Sequence, residues 1–153
     1  MAATAVFSVV KAWSDTPQMT ETNIYVVDSE LMRLLPIETE IIDGAPDFKA
    51  GQALRVLING YDNNRKIRRL IPDDSRSLTL KVRNGCANID IHTKRLSGIN
   101  SRDIERLFIY QLVNTLTSID GIDTVRFTID GEQKKRFAGY MDMREIFVHD
   151  PLV

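Results

Sequence analysis

The sequence predicts an α/β domain of the α+β type. Two helices should pack on one face of a mixed β-sheet in a two-layer sandwich. The core order is helix, strand, strand, helix, strand, and a β-hairpin precedes it. Three observations carry this expectation. Between Asn100 and Asp120, Ile104, Leu107, Phe108, Leu112, Leu116 and Ile119 recur at three- and four-residue spacing, which makes one broad apolar helix face. Asn84-Gly85 separates two runs that alternate with period two, the strongest short-range hairpin signal. The breaker cluster Asp43-Gly44-Ala45-Pro46-Asp47 opens a second helical run that Gly60 closes.

Taken in order, residues 2–10 are nearly all small or apolar. That run falls well short of the ~20 residues a membrane helix needs. No basic region precedes it, as one would in a signal peptide. It reads either as a short packed segment or as the trailing end of a membrane anchor. Residues 14–22 are polar and contain Pro17, and they read as a linker or loop. Residues 1–20 are thus an N-terminal segment, and residues 21–150 form the domain.

Asn23–Asp28 and Leu31–Ile42 read as the strands of the hairpin, turned at Asp28-Ser29-Glu30. Pro36 cannot donate to a ladder, so the second strand belongs at a sheet edge or carries a bulge. Asp47 is placed to cap the helix at Phe48–Asn59, whose apolar face is Ala50, Ala53, Leu54, Leu57 and Ile58. A basic connection, residues 61–69, leads to the second hairpin. There Leu78, Leu80 and Val82 should share a face with Ala87, Ile89 and Ile91. Asn100 or Ser101 caps the long helix, and Asp120-Gly121 ends it. Val125, Phe127 and Ile129 then alternate with Arg126, Thr128 and Asp130 in a strand with one buried face. Residues 133–148 read as a further strand and a return segment.

A chain of 153 residues with 43% apolar and 27% charged residues is one globular domain. Its formal charge of −1 supplies no field for nucleic acid. The single cysteine, Cys86, excludes an internal disulfide framework or cysteine metal cluster. The two histidines, His92 and His149, sit in no metal-ligand spacing, and there is no phosphate loop or dinucleotide fingerprint. No cofactor or metal is therefore expected. Cys86 follows a hairpin turn with no linked base, so it reads as a small half-buried residue. Carboxylates gather at Glu38, Glu40 and Asp43 and at Asp73-Asp74, spacings that solvated turns share with acid/base pairs.

Two basic clusters stand out: Arg65, Lys66, Arg68 and Arg69, and Lys134, Lys135 and Arg136. Together in space they would form a patch for phosphate, an anionic surface or an acidic protein. They lack the interleaved aromatics that stack on bases.

The stretch 111–131, QLVNTLTSIDGIDTVRFTIDG, resembles the signature of the GerMN domain of sporulation and spore germination proteins. NIYVVD and LMRLLPIETEI resemble that family's opening strand pair, and LINGY the end of its first helix. IPDDSRSLTLKVRNGCANIDI resembles its central hairpin, and AGYMDMREIFVHDP its closing stretch. The resemblance implies an extracytoplasmic domain of a lipoprotein or membrane-anchored protein, similar to the ring-building motifs of secretion systems, with no established catalytic residues. The function expected from it is a non-enzymatic protein-interaction and assembly module of the bacterial cell envelope, in some members linked to sporulation or germination. Its partners would be further copies or other proteins of an envelope complex. The alternatives are a binding module for peptidoglycan or another envelope polymer, and a cell-wall hydrolase. Ring-building modules pair through helix faces and sheets. That adds the polar side of the long helix, Arg102, Arg106 and Asn114, to the basic clusters as candidate contacts.

Overall fold

The computed structural model describes residues 16–60 and 66–153. The N-terminal segment through residue 15, with its anchor-like run, and Tyr61–Arg65 lie outside the described residues. Strands β1 (Met19–Asp28) and β2 (Arg33–Ile42) pair antiparallel along their whole length, from Met19 opposite Ile42 to Asp28 opposite Arg33. Asp28 builds the turn: its Oδ1 accepts from the N–H groups of Glu30 (2.8 Å) and Leu31 (2.9 Å). The expected linker is shorter than residues 14–22, because Met19–Thr22 continue β1. Their polarity hides a strand whose backbone is fixed by pairing with Thr39–Ile42.

Pro36 lies on the edge strand, as its chemistry demands. It sits opposite Tyr25. Tyr25 turns its N–H and C=O away from β2, so this is a non-hydrogen-bonded pair and the missing proline N–H leaves no gap in the ladder.

Helix α1 (Pro46–Asn59) begins two residues earlier than expected. Its N-cap is Ala45 without a side-chain cap; Pro46 presets the first φ, and Asp47 lies in the first turn rather than at the cap. Gly60 ends it at φ +93°, donating its N–H to Val56. The two-residue β3 (Ile67–Arg68) pairs with the end of β1 on the side opposite β2. Strands β4 (Leu78–Arg83) and β5 (Cys86–Ile91) form the second hairpin. Asn84 (φ +50°) and Gly85 (φ +75°) both take the positive φ of its two-residue turn.

Helix α2 (Arg102–Thr117) follows, capped by the Ser101 side chain, which accepts from Ile104 N–H. It carries the chain back so that β6 (Thr124–Ile129) lies parallel to β5. The sheet β4-β5-β6 is thus mixed, with Ala87, Ile89, Ile91, Val125, Phe127 and Ile129 buried toward the helices. The hairpin sheet β2-β1-β3 supplies a second cover, since α2 packs on β1 as well as β6, and α1 on β4, β1 and β2. Among the described residues no helix is long and apolar enough to cross a membrane.

This double cover changes the character of α2. Its expected apolar face is buried, and so are Glu105, Gln111, Asn114 and Thr115. Between them these four polar side chains hold three parts of the fold. Thr115 Oγ1 accepts from Tyr25 N–H (2.9 Å), and Gln111 donates to Tyr25 C=O (3.0 Å), so two helix side chains stand where a neighbouring strand would. Asn114 donates to Asp150 C=O (2.9 Å) and accepts from Asp150 N–H (3.0 Å). Glu105 accepts from the backbone N–H groups of Ala138 (3.0 Å), Tyr140 (3.0 Å) and Met141 (3.1 Å).

The C-terminal tail is therefore held by side chains. The further strand expected within residues 133–148 is absent. Only single bridges occur, Ile129 with Glu132 and Val125 with Phe147. Met143 and Phe147 still reach the core, and the Phe147 ring stands edge-on to Phe127 at 5.3 Å. Phe137, Tyr140, Met141, Ile146 and Phe147 give the tail its strand-like signal.

Candidate functional site

The sequence-predicted contact residues divide between separate parts of the surface. Arg65 lies outside the described residues. Lys66, Arg68 and Arg69 are exposed on and beside β3 in the hairpin sheet. Arg69 donates from Nε to Ile71 C=O (2.9 Å), and Lys66 C=O accepts from Ser29 N–H (2.7 Å). Lys134, Lys135 and Arg136 are exposed in the tail beyond β6. There Arg136 reaches Tyr140 C=O (3.3 Å) and Lys134 lies 3.9 Å from Glu132. One cluster thus sits on and beside a strand of the hairpin sheet and the other in the tail.

Arg102 is exposed at the start of α2. Arg106 pairs with Asp150 (3.5 Å) and lies 6.0 Å from the Tyr110 ring centroid. Asn114, expected on an open polar face, is 1% exposed and occupied by Asp150, so it is no contact residue.

Register brings together a set that spacing alone does not. The helices cover one face of the mixed sheet, and the side chains of the other face line up across its three strands. One row is Arg83, Cys86 and Thr124; the next is Lys81, Asn88 and Arg126; the third is Thr79, Asp90 and Thr128. Lys81, Arg83, Asn88 and Arg126 are exposed, and Cys86 is half-buried with a free thiol. Lys81 and Arg126 are far apart in sequence, and only the parallel β5-β6 pairing makes them next-but-one neighbours. Period-two alternation marks both as outward-facing, and that was the available signal. Beside β4, a groove of about 860 Å³ runs against α1, lined by Gly51, Leu54, Leu80 and Val82 together with Asp47, Lys81, Arg83 and Asn88.

A second cleft, of about 740 Å³, is lined by Arg76, Thr79, His92, Lys94, Arg95 and Asp130 among others. In it Thr79 Oγ1 and His92 Nε2 are 2.8 Å apart, and His92 Nδ1 is 3.5 Å from Asp90 Oδ2. The order hydroxyl, imidazole, carboxylate resembles a nucleophilic relay. Two features set it apart from one. Thr79 lies mid-strand opposite Asp90, where the ladder takes its backbone N–H, so that group is no oxyanion donor. Asp90 Oδ1 also accepts from Thr128 Oγ1 (2.6 Å) and Gly131 N–H (2.8 Å), which makes it a cross-strand brace. Among the described residues no group of His, Cys, Asp and Glu is placed to hold a metal ion.

Asp74 at the cleft rim gathers Arg76 (3.1 Å) and Arg95 (3.0 Å). The Arg76 backbone N–H and guanidinium, with Arg95, lower its carboxyl from 3.8 to about 2. A depressed folded-state pKa stabilises above the unfolded value, and that contribution is lost as pH falls from 3.8 toward about 2. An Asp74→Asn variant is expected to show a shallower loss of stability than the parent across that window, read from thermal melts at stepped pH. Parallel curves for the two proteins would refute this.

A family model described as sporulation and spore germination (Germane) matches residues 10–135. No curated protein matches the chain at a significant level. Its fold is shared by solved structures, three of which follow. A candidate lipoprotein from Clostridium perfringens is 16% identical, with a TM-score of 0.58 over 86% of this chain and 87% of that one. The tandem GerMN domains of the Bacillus subtilis sporulation protein GerM are 18% identical, with a TM-score of 0.63 over 86% of this chain and 46% of that one. The first GerMN domain of the same protein is 18% identical, with a TM-score of 0.56 over 81% of this chain and 92% of that one. This chain therefore spans about half of the tandem pair, the length of one repeat.

Proposed function

The chain belongs to the Germane family of sporulation and spore germination domains, and from that premise we propose that it is a non-enzymatic, extracytoplasmic module that builds a protein assembly in the bacterial cell envelope. The carrying observation is the face of the mixed sheet turned away from the helices, where Lys81 and Arg83 of β4 and Arg126 of β6 are exposed on either side of Asn88. Supporting it, α2 is enclosed between two sheets, so its exposed side chains are at its start, Arg102, Asp103 and Arg106. A neighbour in the assembly, another copy or a different envelope protein, docks through sheet surface. The likeness to a candidate lipoprotein supports the envelope setting. The braced Thr79-His92-Asp90 row supports the non-enzymatic reading.

Binding of an anionic envelope polymer such as peptidoglycan is the second reading, favoured by the exposed Arg68 and Arg69 on the other sheet. One pair of variants separates the two. Crosslinking in native membranes should lose its protein adducts when Lys81 and Arg126 become Ser. Retention on purified sacculi that is lost when Arg65, Lys66, Arg68 and Arg69 become Ser would favour the polymer. Adducts unchanged by the first variant would sink the assembly reading through this face.

A further inference from the structure

Each sheet ends on a long edge strand, β2 in one and β4 in the other. Backbone direction follows from the registers. In β4, Ser77 C=O receives His92 N–H, so Ser77, Thr79, Lys81 and Arg83 bond toward β5. Leu78, Leu80 and Val82 therefore turn their N–H and C=O groups outward. In β2 the outward set is Leu34, Pro36, Glu38, Glu40 and Ile42, by the parity that Tyr25 establishes. The ends of this edge are closed: Leu34 N–H donates to Val153 C=O (3.2 Å), and the Gln52 amide takes both backbone groups of Ile42 (3.0 and 2.8 Å). The open window is Pro36 to Ile41. Its exposed side chains Glu38 and Glu40 are acidic, whereas those of the β4 edge, Lys81 and Arg83, are basic.

We propose that copies of this chain join head to tail, β2 of one lying parallel to β4 of the next. The inference rests on the assembly reading and names its partner and interface. Parallel pairing sets an inward-bonding residue opposite an outward-bonding one, as β5 and β6 already do here. Only registers of that kind place Leu80 opposite Ile37, Lys81 opposite Glu38, Val82 opposite Thr39 and Arg83 opposite Glu40. Both charge pairs then fall on one face. Ile37 and Thr39 fall on the other, over the groove floored by Leu80, Val82, Gly51 and Leu54. Glu38 N–H meets Leu80 C=O, and Val82 N–H meets Glu38 C=O. Pro36 lies at the end of the pairing, where its missing N–H removes a single bond.

The antiparallel alternative sets Glu38 and Glu40 against Leu80 and Val82, over the groove that the acidic Asp47 also lines. Pairing β2 with its own copy sets glutamates against glutamates or Pro36. The parallel contact uses two different surfaces, so it propagates and gives a ring or a filament according to the rotation between copies.

Sedimentation of the full chain at rising concentration tests this. The parent should gain mass with concentration and lose that gain at high salt. Lys81→Glu with Arg83→Glu, and separately Glu38→Lys with Glu40→Lys, should each weaken association by about tenfold or more. An equal mixture of the two double variants should restore it, since each supplies the surface the other now fits. Glu38→Pro should also abolish it while keeping the hairpin, because Pro36 already occupies the equivalent edge position. All these residues are exposed, so thermal melts should match the parent and exclude misfolding. A parent that stays monomeric overturns self-pairing, while Lys81- and Arg126-dependent adducts with other proteins would leave the assembly reading standing. Association that survives both charge reversals keeps the assembly reading and overturns this interface.

Discussion

Replacing Glu105 by Ala is expected to release the C-terminal tail and cost about 4 kcal/mol. The carboxylate is fully buried, and three backbone N–H groups converge on it from Ala138, Tyr140 and Met141. An alanine leaves all three without an acceptor, and a buried orphan donor costs roughly 1–3 kcal/mol. The tail can limit the loss by peeling into water, but it then withdraws Phe137 from Phe108, whose ring centroids lie 5.5 Å apart, and uncovers Met143. Either route takes a large share of the ~5–15 kcal/mol by which a domain of this kind is stable. Glu105→Gln should lose about half as much. Its single carbonyl oxygen can still serve Tyr140 and Met141, while the amide nitrogen faces Ala138 N–H, donor against donor. Urea titration gives the total. Hydrogen exchange should show the amides of Ala138, Tyr140 and Met141 losing protection ahead of α2. A Glu105→Ala protein within about 1 kcal/mol of the parent would contradict this account.

The same residue marks where sequence reading stops. Periodicity sees a helix face, and the apolar positions of α2 from Ile104 to Leu116 were legible because burial of one face has a period. Glu105, Gln111, Asn114 and Thr115 are polar, and on a helix covered from one side they would face water. Gln111 and Thr115 are buried against a second sheet and Glu105 and Asn114 against the C-terminal tail, and no local pattern announces either. Pro36 is the opposite case: a missing N–H is a local chemical fact, and its edge position could be read directly. Asn84-Gly85 was equally plain, because two consecutive positive φ values need such residues. The basic row of the mixed sheet was half legible. Alternation marks Lys81 and Arg126 as outward, but their alignment depends on the parallel pairing of β5 with β6. The clusters that are dense in sequence, around Arg68 and Lys135, lie on the hairpin sheet and in the tail, since adjacency along a chain is a weak guide to adjacency across a fold.

The two sheets are joined through Tyr25, and a pair of near-isosteric substitutions on α2 should reveal how firmly. Thr115→Val is expected to cost about 2 kcal/mol, because it removes the acceptor of a backbone N–H that faces the helix and has no strand opposite. Gln111→Leu removes the donor to Tyr25 C=O, but it also removes the Gln111 carbonyl oxygen, which is itself buried without a partner. The two effects oppose each other, and a carbonyl tolerates an unmet lone pair better than an N–H tolerates an unmet proton. Gln111→Leu should therefore cost about 1 kcal/mol, and the double variant less than the additive ~3 kcal/mol, the sites being coupled through one residue. The apolar contacts of Ile24, Val26 and Val27 remain in all three proteins, so the hairpin sheet should stay docked while the Tyr25 amide exchanges faster. The ordering is the sharp part of the expectation. Denaturant midpoints with Gln111→Leu the more damaging change would mean that the carbonyl, and not the N–H, anchors the hairpin sheet to α2.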